Sequence, residues 1–322
     1  MNKPRVLATR PIFAPLHPVL EEQLEMEYWQ ERERMPRAEL LKRIGEKDGV
    51  ICITTDKIDE ELLAAAPKLR LVTTISVGVD HINLDACTRR NVIVTNTPGV
   101  LDDTTADLAW ALMMAVARRI VEGDTWTRSG TWNGLEFDHF LGTDIWGKTL
   151  GVIGFGRIGR EMARRASGFK MHVIYNNRNR VSAAIEQELR ATFASVDALL
   201  AESDFVSLHV PLRADTRHLI SGASFEKMKR TAFLINTARG PIVDENALVD
   251  ALEKGVIAGA GLDVYEQEPK VHPGLIQRRN VVLAPHIGSA TTDTRMAMAK
   301  LAVQNALAFF EGRTPPNALN AR

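Results

Sequence analysis

Short apolar runs separated by longer amphipathic stretches recur along almost the whole chain, the pattern of parallel strands joined by crossover helices. In the first third, Val6 to Thr9, Gly49 to Ile53, Leu71 to Ile75 and Val92 to Val94 predict the strands of a small α/β unit. Thr97-Pro98-Gly99 then punctuates the chain with turn chemistry. Asp103 to Val121 reads as one long helix, acidic at its start and closed by Arg118, Arg119 and then Gly123. Its apolar residues extend round most of its circumference, so it is expected to be buried between domains or subunits. From Thr149 a second α/β series begins, with strands at Leu150 to Ile153, His172 to Tyr175, Phe205 to Val210, Ala232 to Asn236, Ala258 to Leu262 and Val281 to Ala284. A last helix is predicted over Asp293 to Glu311, ending at Gly312.

Length and composition narrow the function classes. A chain of 322 residues exceeds one typical domain, so two domains sharing a cleft are expected. Forty acidic residues balance forty basic ones, and a net charge of zero offers no electrostatic attraction to nucleic acid or a membrane surface. Cys52 and Cys87 are the only cysteines, too few for a disulfide framework or a zinc cluster and consistent with a reducing compartment. The opening MNKPRVLAT runs straight into a strand with no signal-peptide pattern, and the apolar stretch Leu108 to Ala117 is too short for a membrane helix. A cytoplasmic protein without a metal centre is the expectation.

The strand Leu150 to Ile153 runs directly into Gly154-Phe155-Gly156-Arg157-Ile158-Gly159 and then into a helical run. In such a fingerprint the first glycine permits the tight turn and the second admits a pyrophosphate to the backbone. The third lets helix and strand pack, and the phosphates sit on the helix N-terminus. A carboxylate about 20 residues further on would select NAD by accepting from the ribose hydroxyls. Asn176 stands there instead, followed by Asn177, Arg178, Asn179 and Arg180. No carboxylate repels a 2′-phosphate and two guanidiniums can bind one, which favours NADP(H). Read as a solvated polar loop, the same residues also admit NAD(H).

Three further residues bear chemistry: Arg239 in INTARG, Glu268 in GLDVYEQEP and His286 in PHIGSAT, each in a short segment after an apolar run. A guanidinium, a carboxylate and an imidazole form the set needed to hold a 2-keto acid and protonate its carbonyl. Taken singly, Arg239 and Glu268 also read as surface charges and His286 as a structural histidine.

The fingerprint after a first α/β unit, DFVSLHVPL at Asp204 to Leu212, and the three motifs above, in this order, resemble the D-isomer-specific 2-hydroxyacid dehydrogenases over nearly the whole chain. ISVGVDHI at Ile75 to Ile82, the VLDDTTADLAWALM segment and the Arg178, Arg180 pair most resemble the glyoxylate/hydroxypyruvate reductases within that family.

The resemblance implies two doubly wound parallel-sheet α/β domains. A Rossmann dinucleotide domain, 99–287, is inserted into a flavodoxin-like substrate domain, 1–98 with 288–322, with the active site in the cleft at strand C-terminal ends. It implies that Arg239 binds the substrate carboxylate and keto oxygen, that backbone N–H groups of Val77 and Gly78 take its other side, and that His286 is general acid in reduction and base in oxidation. Glu268 then orients the imidazole and stabilises its cationic form. Thr237 and Ala238 line the nicotinamide side, Asp263 meets the nicotinamide or its ribose, and Thr105 faces the cofactor from the long helix. Arg157, Ile158, Val210, Pro211 and Gly288 complete the expected cofactor contacts. One departure stands out: Ile53 and Thr54 fall where related reductases are more uniformly apolar around the substrate side chain. That leaves glyoxylate, hydroxypyruvate and a longer keto acid open. Trp126, Trp132 and Trp146 suggest a subunit interface, and a homodimer is expected. Relatives acting on 2-ketogluconate, phosphoglycerate, formate or phosphite, and dinucleotide-sensing corepressors, are the alternatives.

Overall fold

The computed structural model describes residues 3–320. Its chain forms two compact units, one running to Leu101 and resuming at Ala290, the other spanning Asp102–Ser289. Each is built on one parallel sheet.

The first unit holds β1 (Arg5–Ala8), β2 (Glu25–Tyr28), β3 (Gly49–Cys52), β4 (Leu71–Thr74) and β5 (Ile93–Thr95) in the order β2-β1-β3-β4-β5. The central strands β3 and β4 are buried along their whole length, as strands covered on both faces must be, and this is why they read as unbroken apolar runs. β2 was not expected. Its sequence, Glu-Met-Glu-Tyr, has no apolar run because it lies at the sheet edge with no residue fully buried. The helix Thr292–Phe310 packs on β4 in this unit and is capped by Thr291, whose hydroxyl accepts from the Thr294 N–H.

The second unit holds β6 (Thr149–Ile153), β7 (His172–Asn176), β8 (Ala191–Phe193), β9 (Phe205–Leu208), β10 (Phe233–Asn236), β11 (Gly259–Leu262) and β12 (Val281–Leu283), in the order β12-β11-β10-β9-β6-β7-β8. The order reverses between β6 and β9, opening a crevice at their C-terminal ends, where such sheets bind ligands. β8, a three-residue edge strand, also escaped the periodicity.

The expected long helix differs in two ways. It ends at Ala117, and a separate helix, Ile120–Arg128, follows an Arg119 in the left-handed region at φ 54°. A distant segment causes the break: the Thr143 N–H donates to the Ala117 carbonyl and takes the place of the next helical turn. Secondly, the apolar faces of Asp102–Ala117 are covered within this unit, by β10, β11, β12 and the helix Arg157–Ala166. Among the described residues no helix is long and apolar enough to cross a membrane.

Candidate active site

At the crevice, β6 turns sharply through Gly154 at φ 97°, and a Cβ there would lie 2.5 Å from the His209 carbonyl carbon. Only glycine tolerates both conditions. Gly159 lies against the Gly154 oxygen, while the space over Gly156 is open. Gly156 is also the N-cap of the ten-residue helix Arg157–Ala166 and supplies no side-chain cap. The first-turn N–H groups, starting at Arg157 and Ile158, are thus presented to an anion. Phe155 turns the other way, fully buried and stacked on Tyr175 at 4.1 Å.

Beyond the turn lies a cavity of about 400 Å³ whose wall includes Asn176, Asn177, Arg178, Asn179, Val210 and Pro211. Asn176 fills the usual carboxylate position and ties its amide to the Ala194 carbonyl at 2.8 Å. The two guanidiniums are not equivalent. Arg178 lines the cavity and reaches Asp215 at 3.4 Å. Arg180 is instead gripped by both oxygens of Glu186, each at 2.8 Å, and Glu186 also accepts from the Tyr175 hydroxyl. Those bonds, from Arg180 first and Tyr175 second, pull the Glu186 carboxyl down to about 2. A second cation at the cavity is Arg213, from the loop after β9, which sequence reasoning missed because DFVSLHVPL was read only as far as Leu212.

The three chemistry-bearing residues converge in the second unit. Arg239 follows β10 in a loop held by Asn236, whose side chain accepts from the Ala238 N–H and donates to the Arg239 carbonyl, both at 3.0 Å. Gly240 then presses its backbone onto the next loop, since a Cβ there would lie 1.9 Å from the Tyr265 carbonyl. In that second loop Glu268 accepts from the Tyr265 N–H at 3.1 Å and from the His286 Nδ1–H at 2.7 Å. Burial alone would raise the Glu268 pKa. The hydrogen bond and charge of His286, the Tyr265 N–H and the Arg239 charge outweigh burial and leave it lowered. Glu268 is therefore an ionised acceptor that fixes Nδ1 as the protonated nitrogen of the His286 ring.

His286 has φ 55°, an unfavourable setting for a residue with a Cβ. Asp263 holds it there. Its carbonyl accepts from the His286 N–H, and its buried carboxylate accepts from the N–H groups of Ile287 at 2.7 Å and Gly288 at 2.8 Å. Burial raises the Asp263 pKa, and those two N–H bonds oppose the rise. Asp263 is thus a backbone clamp, whatever it adds toward a cofactor. Thr105 is buried beside Gly288, and the buried Thr237 hydroxyl has no hydrogen-bond partner. An orphaned buried hydroxyl between the fingerprint crevice and Arg239 suits a bound polar group such as a nicotinamide carboxamide. Together with the open space over Gly156, it means that the residues present fit a dinucleotide.

In the first unit, Ile53 and Thr54 follow β3, and Val77 and Gly78 follow β4, all partly exposed at strand C-terminal ends. The Ile53 N–H is held by Asp56 at 3.1 Å, and the Val77 carbonyl by the Asn96 amide at 2.9 Å. A larger cavity, about 800 Å³, is lined by Phe233 at the start of β10 and by Ala258 and Asn280 just before β11 and β12, at the opposite ends of those strands from the Arg239 and His286 loops.

Residues 110–288 match the model of the D-isomer specific 2-hydroxyacid dehydrogenase NAD binding domain. The glyoxylate reductase of Thermococcus litoralis is 49% identical over 322 residues, covering 99% of this chain and 97% of its own. The chain belongs to the D-isomer-specific 2-hydroxyacid dehydrogenase family. Among solved structures, the TT0316 protein from Thermus thermophilus superposes with a TM-score of 0.91 at 45% identity, over 98% of this chain and 99% of its own. An NADPH-dependent glyoxylate/hydroxypyruvate reductase from Sinorhizobium meliloti, solved with NADP and malonate, gives 0.86 at 31% identity over 99% and 97%. The expected family and its two parallel-sheet α/β architecture are thereby established, as is use of a dinucleotide cofactor.

Proposed function

We propose that this dehydrogenase reduces a small 2-keto acid, glyoxylate or hydroxypyruvate, to glycolate or D-glycerate with NADPH. The observation that carries the reading is the 2.7 Å bond between His286 Nδ1–H and an ionised Glu268, in a loop packed directly on that of Arg239. When bound, the nicotinamide supplies the hydride. Arg239 anchors the substrate carboxylate through its planar fork. His286 Nε2 then gives its proton to the keto oxygen, and Glu268 stabilises the cation that makes this possible. A steady-state screen of glyoxylate, hydroxypyruvate, pyruvate and 2-ketogluconate tests the substrate class, and turnover of none of them would refute it.

The preference for NADPH rests on Asn176 in place of a carboxylate, on Arg178 and Arg213 at the cavity wall, and on the NADPH dependence of the Sinorhizobium relative. Arg178→Ala is expected to raise KM for NADPH by about tenfold and leave KM for NADH within about twofold, the loss of one charge-assisted contact. Equal effects on both cofactors would show that Arg178 does not meet a 2′-phosphate.

A homodimer belongs to the same proposal. Leu135 and Phe137 are 96% and 99% exposed in a loop that also shows Trp132, Leu141 and Trp146 to solvent, more apolar surface than a monomer retains without use. Sedimentation is expected to find a dimer, and Leu135→Ser with Phe137→Ser is expected to raise its dissociation constant by at least about tenfold. A cytoplasmic location is inferred from Cys52 and Cys87, both buried as free thiols.

A further inference from the structure

Behind Glu268 three segments are tied together at one peptide, Tyr265–Glu266. Gly240 presses on it from one side. From another, Glu245 accepts from the Glu266 N–H at 2.7 Å. The neighbouring Tyr265 N–H is taken by Glu268 itself. Consecutive N–H groups thus each meet a carboxylate, and one of those carboxylates holds the imidazole.

Glu245 is not needed where it stands for the helix it begins. Asp244 already caps Glu245–Glu253, accepting from the Ala247 N–H at 3.1 Å. Yet Glu245 is only 8% exposed, and burial, with Glu266 and Glu268 nearby, raises its pKa, opposed by the Glu266 N–H bond and the charge of His272. A carboxyl kept in that setting for a single loop N–H indicates that the position of the loop matters.

The Glu266 side chain extends the tie. It accepts from Arg217 Nη2 at 3.0 Å and His218 Nε2–H at 2.7 Å. The backbone of that segment is laced to the chain just after Arg239: His218 N–H to the Pro241 carbonyl, Ile220 N–H to Ile242, and Asp244 N–H back to Ile220. The same segment begins at Arg213, on the cofactor cavity.

We propose that Glu245 and Glu266 are positioning residues that clamp the Tyr265–Glu266 peptide, and thereby set Glu268 against His286 and Arg239 in one rigid arrangement. The inference rests on the roles proposed above for Glu268 and His286. The charged groups around that pair are Asp263, Arg239 and Glu245, with Arg217 and His218 on Glu266 and His272 near Glu245. Without the clamp, Glu268 follows a looser loop and its hold on the imidazolium weakens.

The test compares kcat and KM across the pH range for wild type, Glu245→Ala, Glu245→Gln and Glu268→Gln, with glyoxylate and NADPH. Glu245→Ala is expected to lose about tenfold in kcat, to shift the high-pH limb of reduction to lower pH, and to keep KM for NADPH within about twofold. Glu245→Gln retains an oxygen that accepts from the Glu266 N–H and is expected to recover most of kcat and the wild-type limb. An unshifted limb in Glu245→Ala, or a Glu245→Gln as impaired as the alanine variant, overturns the clamp; the latter assigns the effect to charge. An unshifted Glu268→Gln refutes instead the underlying roles. If Glu245→Ala does not fold, the double variant Arg217→Ala, His218→Ala removes the outer anchor at half-exposed positions, with the same limb expected to move down and an unmoved limb overturning the proposal.

Discussion

Arg239→Ala is expected to lower kcat/KM for the keto acid by about 10²- to 10³-fold, with most of the loss in KM. Truncating one partner of a desolvated charge pair costs about 2–5 kcal/mol, and each 1.36 kcal/mol is tenfold. Arg239 is only partly exposed, and its loop is held independently of the guanidinium, by both ends of the Asn236 amide and by the backbone contact at Gly240. The substitution should therefore remove the anchor without collapsing the loop, and the dissociation constant for NADPH should stay within about twofold. Lysine keeps the charge but not the planar fork, so Arg239→Lys is expected to recover only part of the loss. Where the guanidinium also polarises the carbonyl in the transition state, kcat falls together with the rise in KM. Initial rates over a range of glyoxylate concentration decide the matter, and an unchanged KM in the alanine variant would take Arg239 out of substrate binding.

How far the site was legible in the sequence follows from what local patterns can encode. Gly154, Gly156 and Gly159 announced themselves because a strand, a turn and a helix in immediate succession leave little else that those glycines can do. Arg239, Glu268 and His286 were legible because parallel strands deliver the residues after them to one edge of the sheet. Interactions that depend on distant segments were not legible. The helix break at Arg119 is made by Thr143. Edge strands β2 and β8 lack the double burial that makes β3 or β9 visible. Arg180 could be seen as a charge near the cofactor, but Glu186, six residues on, draws it away. Glu245 and Glu266 gave no signal, since nothing in their neighbours reveals that one is buried and the other held by Arg217 and His218.

Glu268→Gln is expected to move the high-pH limb of keto-acid reduction to lower pH and to reduce kcat by about 10- to 100-fold at neutral pH. The sign follows from the charge states. Glu268 has a lowered pKa, owing to His286, Tyr265 and Arg239 against its burial, so it is anionic wherever the enzyme works. An anion 2.7 Å from Nδ1 favours the imidazolium, and on the proposed roles reduction uses the imidazolium as proton donor. On those roles reduction proceeds while the donor keeps its proton and is lost on the high-pH side. Glutamine keeps an oxygen for the Nδ1–H but removes the charge, so the cation is lost at lower pH. The two side chains remain partly exposed, so solvent screens the pair and limits how far the limb moves. Oxidation of the 2-hydroxy acid needs the neutral imidazole, so its low-pH limb should move down by the same amount and leave that direction less impaired. Measuring both directions separates a charge effect from simple misplacement: misplacement lowers the two rates together and shifts neither limb.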